Sequence, residues 1–154
     1  MTPQTSSQQT FPAVIIEQLE AVGLDHYSHE RFERALTTFE LLLQRGDKPC
    51  FYWTIIGVIH RRRKQRGLAI KALTQAVESD KRDRQAQVLL GETLCEVGRP
   101  EEGVRLLRNV FELGHQPNLE PEHQDHWTKR SGAVLEAVQM TLRAWMDTQR
   151  ASAV

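Results

Sequence analysis

Gly23, Gly57 and Gly91 stand 34 residues apart, and the same interval separates Ala35, Ala69 and Gly103, and again Phe39, Leu73 and Leu107. A fixed period of this length, carried by small and large apolar residues together, marks a chain built from repeated helix pairs. Such a pair cannot bury its apolar face alone. It becomes stable when stacked on its neighbours, which share one core and leave a concave surface. The period therefore predicts an all-α fold of three repeats, at about 16–49, 50–83 and 84–117, wound into a right-handed superhelical array.

Further columns hold the same phase and resemble the tetratricopeptide repeat. Trp53, Ile56 and Gly57 reproduce its W-x2-L-G opening, Ala35 to Phe39 its A-x3-F, and Ala69 to Leu73 an aliphatic version of that motif. The small residues are structural, because a side chain larger than Ala at Gly23 or Ala35 would push apart the two helices of one repeat. Gly46 with Pro49, and Gly98 with Pro100, are helix stops where the phase requires them. In the second repeat Lys64 stands where a turn glycine is usual and Gly67 follows, so a late turn is expected there.

At 154 residues the chain suits one domain, large enough to bury a core without disulfide or metal staples. With 20 basic and 20 acidic residues it carries no formal net charge, so nothing global steers it toward nucleic acid or anionic lipid. Residues 1–10 are polar and uncharged, read as a disordered tail without the basic and apolar regions of a secretory signal. The longest apolar stretch, Phe51 to Ile59, is too short to span a membrane. Cys50 and Cys95 form no CxxC pair and suit reduced thiols. The expected compartment is the cytoplasm.

The repeats occupy 11–117, and residues 118–150 are a connector and a C-terminal capping helix, with Pro121 suited to its first turn. Trp127, Ser131, Val134, Val138, Leu142 and Trp145 share one face at helical spacing, with Leu135 and Met146 beside it. That stripe should cover the open edge of the third repeat. A membrane-surface helix is the alternative, but the polar face is not strongly basic. Phe11 to Ile16 either begins the first helix or offers a second copy of the chain an apolar contact for a homodimer.

Catalytic and metal chemistry find little support. Glu122, His123 and His126 are the densest set of potential ligands, with no cysteine and no clear third or fourth ligand; no metal or other cofactor is expected. No phosphate loop, HExxH or GxSxG occurs, so no enzyme is expected. Arg61, Arg62, Arg63, Lys64 and Arg66 form one basic run, read as cations closing a helix against its negative dipole end. No aromatic or basic continuation extends it toward nucleic acid.

The concave face is read from positions 2, 5, 9 and 12 of the first helix in each repeat. The candidate partner-binding residues are Leu24, Tyr27, Phe51, Thr54, Val58, Arg61, Arg62, Val88, Glu92 and Cys95. Leu24, Tyr27, Phe51, Val58 and Val88 would accept apolar side chains of an extended peptide, and Glu92 its backbone amides or a basic residue. The alternative is that some of them pack on the N-terminal segment or the last helix. Repeat proteins that hold the C-terminal carboxylate of heat-shock chaperones use a basic and amide clamp. The matching positions here are Glu20, Leu24, Ile55, Gln85 and Leu89, which offer no cation.

Three repeats, a polar N-terminus and one extra helix resemble the class II chaperones of bacterial type III secretion, the SycD/LcrH family that escorts translocator proteins. The residues that carry the likeness are His26-Tyr27, Phe32-Glu33-Arg34-Ala35 and Phe39, then Gly91-Glu92 with Leu94, and Glu101-Glu102-Gly103. The resemblance implies a cytoplasmic chaperone that keeps a hydrophobic translocator soluble by cradling an extended segment of it, and a homodimer formed through the N-terminal region, here residues 11–16. The basic run at Arg61 to Lys64 and the short, acid-poor tail depart from that family. The rival reading is a scaffold whose groove joins folded partners.

Overall fold

The computed structural model describes residues 11–115, 117–118 and 124–152. Among these residues lie seven α-helices: α1 (Ala13–Ser28), α2 (Phe32–Arg45), α3 (Pro49–Arg62), α4 (Arg66–Ser79), α5 (Arg84–Glu96), α6 (Pro100–Gly114) and α7 (His126–Ser152). The expected polar tail at 1–10, the Pro121 helix start and the Glu122 and His123 members of the histidine cluster lie outside the described residues. The chain divides into two compact units, one ending at Asp80 and one beginning at Lys81.

The first unit contains α1 to α4. Helices α1 and α2 form one pair, α3 and α4 another, and α2 packs on α3. Its core holds Ile16, Leu36, Phe39, Leu42, Tyr52, Ile56 and Ile59, with Phe11, Tyr27 and Trp53 packed against it. The second unit contains the pair α5 and α6, with α7 laid against both. Val88, Leu107 and Val110 form its centre, closed by Trp127, Val134 and Leu135 of α7.

The periodic glycines touch the periodic large residues. A methyl placed on Gly23 would lie 2.9 Å from the Phe39 ring, on Gly57 2.6 Å from Leu73 Cγ, and on Gly91 2.9 Å from Leu107 Cγ and 3.0 Å from the Gly103 carbonyl. Even the side chain of alanine is therefore too large at these positions, a tighter limit than the sequence suggested. Phe39, Leu73 and Leu107 are all fully buried, so none can swing out to make room.

The same period governs the turns. Glu30, Lys64 and Gly98, again 34 residues apart, hold φ of 57°, 59° and 81° between the two helices of each pair. The turn in the second pair is thus made by Lys64 itself, and Gly67 falls within α4. The expected delay does not occur because helix packing on both sides fixes the length of the turn. Lys64 accepts a left-handed backbone that costs on the order of 1 kcal/mol. Pro49 and Pro100 each stand in the first turn of a helix, where a missing N–H is harmless. Asp83 caps α5 by accepting the Ala86 N–H at 2.7 Å.

Gly57→Ala is expected to lower stability to urea by about 1–3 kcal/mol, because overpacking against Leu73 outweighs the better helix propensity of alanine. Gly67→Ala, whose methyl would meet nothing within 4 Å, is expected to be neutral or stabilising by up to about 1 kcal/mol. Equal effects of the two changes in urea unfolding would contradict the close-approach account.

Candidate functional site

The expected groove residues fall in both units. In the first unit they lie on α1 and α3, which run side by side in the same direction. Near the start of α3, Tyr52 donates its hydroxyl to Glu20 Oε1 of α1 at 2.8 Å, and Lys48 Nζ reaches the same carboxylate at 3.1 Å. Near the other end, the Arg62 guanidinium lies over the Tyr27 ring at 5.0 Å from its centroid. Burial, with the bond to Glu20, pushes the Tyr52 phenol well above its ordinary pKa, so it remains a donor.

The apolar residues expected as contacts on these two helices are partly exposed. Leu24 is 39% exposed and Phe51 36%, while Tyr27, Val58 and Arg61 are half-buried and Arg62 is exposed. Phe51 is held in place by edge contacts with Phe39 and Tyr52, so its ring is both fixed and accessible. Thr54 is different. It is only 3% exposed and donates its hydroxyl to the Cys50 carbonyl at 2.8 Å. It is buried within α3, a correction to its expected place as a contact residue.

In the second unit α7 lies along α5. Arg84 near the start of α5 pairs with Asp125 at the start of α7 at 2.7 Å, and Glu92 is forked by Arg130, with Nε to Oε1 at 2.5 Å and the second nitrogen to Oε2 at 2.7 Å. Three expected contact residues are changed by this. Val88 is fully buried beneath α7 and belongs to the core, so it cannot meet a partner. Glu92 is buried in its bidentate pair rather than offered to a peptide. Cys95 is half-buried and lines a cleft of about 590 Å³, with Val134, Ala137, Val138 and Leu142 on the α7 side. The packing alternative therefore holds for Val88 and Glu92. Its sequence signal was the α7 stripe, whose footprint had to fall on α5; Arg130 and Asp125 had no such signal.

Burial, joined by Glu92 and Glu96, pushes the Cys95 thiol up and away from nucleophilic thiolate. The basic run is largely paired: Arg63 meets Glu33 at 2.7 Å and Arg62 approaches Glu30 at 4.0 Å. His60, Arg61 and Arg62 form the last turn of α3, where their charge complements the helix dipole. Among the described residues no group of three or more His, Cys, Asp or Glu could hold a metal ion. No described helix is long and apolar enough to cross a membrane. Of the segment 11–16, Phe11 packs on the core and Ile16 is buried, while Val14 and Ile15 are 63% and 43% exposed.

Asp125 caps α7 by accepting the Trp127 and Thr128 N–H groups, and it also accepts the Thr128 hydroxyl. Burial pushes its carboxyl up, but the Thr128 and Trp127 bonds and Arg84 together outweigh this and hold it below the usual range. A depressed folded value contributes stability above the unfolded value of about 3.9 and loses it as pH falls through the folded one. Thermal melting followed across that acid range should therefore show a fall that Asp125→Asn reduces; an identical profile would contradict the cap. Arg130→Ala should cost on the order of 2 kcal/mol in urea unfolding, by depriving a buried carboxylate of its fork, and Glu92→Met with Arg130→Met should restore most of it. A loss under about 0.5 kcal/mol would mark the pair as an ordinary surface ion pair.

No family model and no curated protein sequence matches the chain. Its fold does match solved structures. PcrH from Pseudomonas aeruginosa superposes with a TM-score of 0.73 at 19% identity, over 87% of this chain and 98% of that one. PcrH is also known in complex with the chaperone binding region of PopD. The type III secretion chaperone SycD of Yersinia enterocolitica, in complex with a peptide of the translocator YopD, gives 0.71 at 21% identity over 84% and 96% of the two chains. The first tetratricopeptide domain of Spaghetti (RPAP3), bound to the HSP90 peptide SRMEEVD, gives 0.67 at 16% identity over 83% and 93%. The chain thus has the all-helical tetratricopeptide fold that these peptide-binding proteins share.

Proposed function

We propose that this protein is a non-catalytic chaperone that holds an extended, apolar segment of a type III secretion translocator, and that it works in the cytoplasm. The observation that carries the reading is the accessible apolar row of Leu24, Tyr27, Phe51 and Val58, with Arg61 and Arg62 at its end. Apolar anchors inserted between such side chains, with the backbone of the segment left extended, give affinity without demanding a folded partner. Because the bound segment is withheld from aggregation, association favours the soluble form of the client by mass action.

The chaperones of the same fold that bind translocator segments support this choice over an HSP90-type role. The SRMEEVD peptide bound by Spaghetti is acidic. Of the clamp positions in this unit, Leu24 and Ile55 carry no charge and Glu20 is already engaged by Lys48 and Tyr52, so an acidic tail would meet a carboxylate and no cation. The rival reading is a scaffold that uses the same row to join folded partners. The homodimer expected at residues 11–16 would rest on Val14 and Ile15, the exposed pair of that segment.

A tagged pull-down from the native cell, comparing wild type with Tyr27→Ala/Val58→Asp, tests the reading. Retention of one hydrophobic secreted protein should fall by about thirtyfold, as expected for loss of a hot-spot contact. Melting curves must first establish that the variant remains folded. Recovery of folded cytosolic partners, or of a set unchanged by the substitutions, would refute the chaperone role.

A further inference from the structure

The cations that close α3 differ in how firmly they are held. Arg63 meets Glu33 at 2.7 Å, whereas the one carboxylate that approaches Arg62 among the described residues is that of Glu30, at 4.0 Å on a side chain 75% exposed. What fixes Arg62 is the Tyr27 ring, whose centroid lies 5.0 Å from the guanidinium carbon. A cation held over a ring uses no hydrogen-bond donor for the purpose, so its N–H fork remains matched to a carboxylate. By helical position Arg62 also shares one stripe of α3 with Phe51 and Val58, and it stands about 6 Å beyond Val58 along the axis. The start of the same two helices has the opposite sign. Glu20 holds Lys48 through both oxygens at 3.1 Å. That bond, joined by the charges of Asp47 and Glu17, outweighs burial and raises the Lys48 pKa, so three carboxylates share one ammonium there.

We propose that Arg62 selects the client: the bound segment carries an aspartate or glutamate just beyond its apolar anchors, at the end that lies against the last turn of α3, and Arg62 forks that carboxylate. This rests on the reading of α1 and α3 as the client face, and it adds the chemistry and the direction of the segment. Apolar anchors alone fit such a face in either direction, because their side chains carry no polarity. The charges remove that symmetry. An acidic flank gains Arg62 at one end and meets Glu17, Glu20 and Asp47 at the other, so one direction is attracted and its reverse repelled. The place of the acid in the client sequence therefore decides which way the segment runs. Glu30 is the competitor already in place. Its contact is long and exposed, and ion pairs of that kind contribute little, so an incoming carboxylate displaces it readily.

Random peptides displayed on phage and selected on the purified full chain test this. Wild type should enrich apolar positions with aspartate or glutamate at one flank only. Arg62→Gln should lose the acidic flank and Arg62→Glu should replace it with lysine or arginine, each variant first being shown to keep its helical content. For one selected peptide, Arg62→Gln should weaken binding about fivefold at low salt and much less at high salt. Glu30→Gln, which removes the competitor, should strengthen it about twofold. Apolar enrichment without an acidic flank, or an acidic flank unchanged by Arg62→Gln, would overturn the proposal and leave the client reading standing. Equal weakening of peptides with and without the acid would mark Arg62 as structural and overturn the proposal as well. No apolar enrichment at all would overturn both.

Discussion

The close approach of paired helices at Gly23, Gly57 and Gly91 is the constraint on which the rest of the molecule depends. Each glycine lies against a fully buried large residue of the second helix, Phe39, Leu73 or Leu107, with no room for even one further carbon. That contact fixes the distance between the two helices and therefore the length of the turn that joins them. The turn in turn must pass through a left-handed residue, which is why Glu30 and Lys64 adopt a backbone otherwise left to glycine. Packing here overrides local preference.

Once the pairs are set, the remaining question for each first helix is what lies beside it. Beside α1 lies α3, and the hydrogen bond from Tyr52 to Glu20 and the Arg62 cation over the Tyr27 ring hold the two in line, while Leu24 and Phe51 on these helices remain partly exposed. Beside α5 lies α7, and there the equivalent positions are closed: Val88 enters the core and Glu92 is forked by Arg130. The same register thus gives partly exposed apolar side chains in one unit and a sealed, charge-balanced seam in the other. A chaperone needs the first. The second serves to anchor the first half of a long helix, whose far half is exposed.

The repeats were legible because their signals are local and recur: small residues at a fixed interval, glycine or proline at the turns, and an apolar stripe on the last helix. Residues whose burial depends on their own helix pair, such as Phe39 and Gly57, followed directly. Val88 and Glu92 did not, because their fate depends on α7, some 40 residues away in sequence, and the Arg130 that claims Glu92 is an unremarkable cation on a charged helix. Thr54 was misplaced for another reason. It shares the spacing of the groove residues, but its hydroxyl is satisfied by the preceding turn, which lets it be buried within α3. The late turn expected at Gly67 failed since composition at one site says less than the packing on both sides of it.

Amide hydrogen exchange of the chain, free and in complex with its co-purified client, addresses the central claim most directly. The account predicts new protection concentrated on the α1 and α3 segments that carry Leu24, Tyr27, Phe51 and Val58, with little change in the α5 core around Val88. Protection confined to the second unit, or to the outer helices α2 and α4, would contradict it and move the binding surface elsewhere.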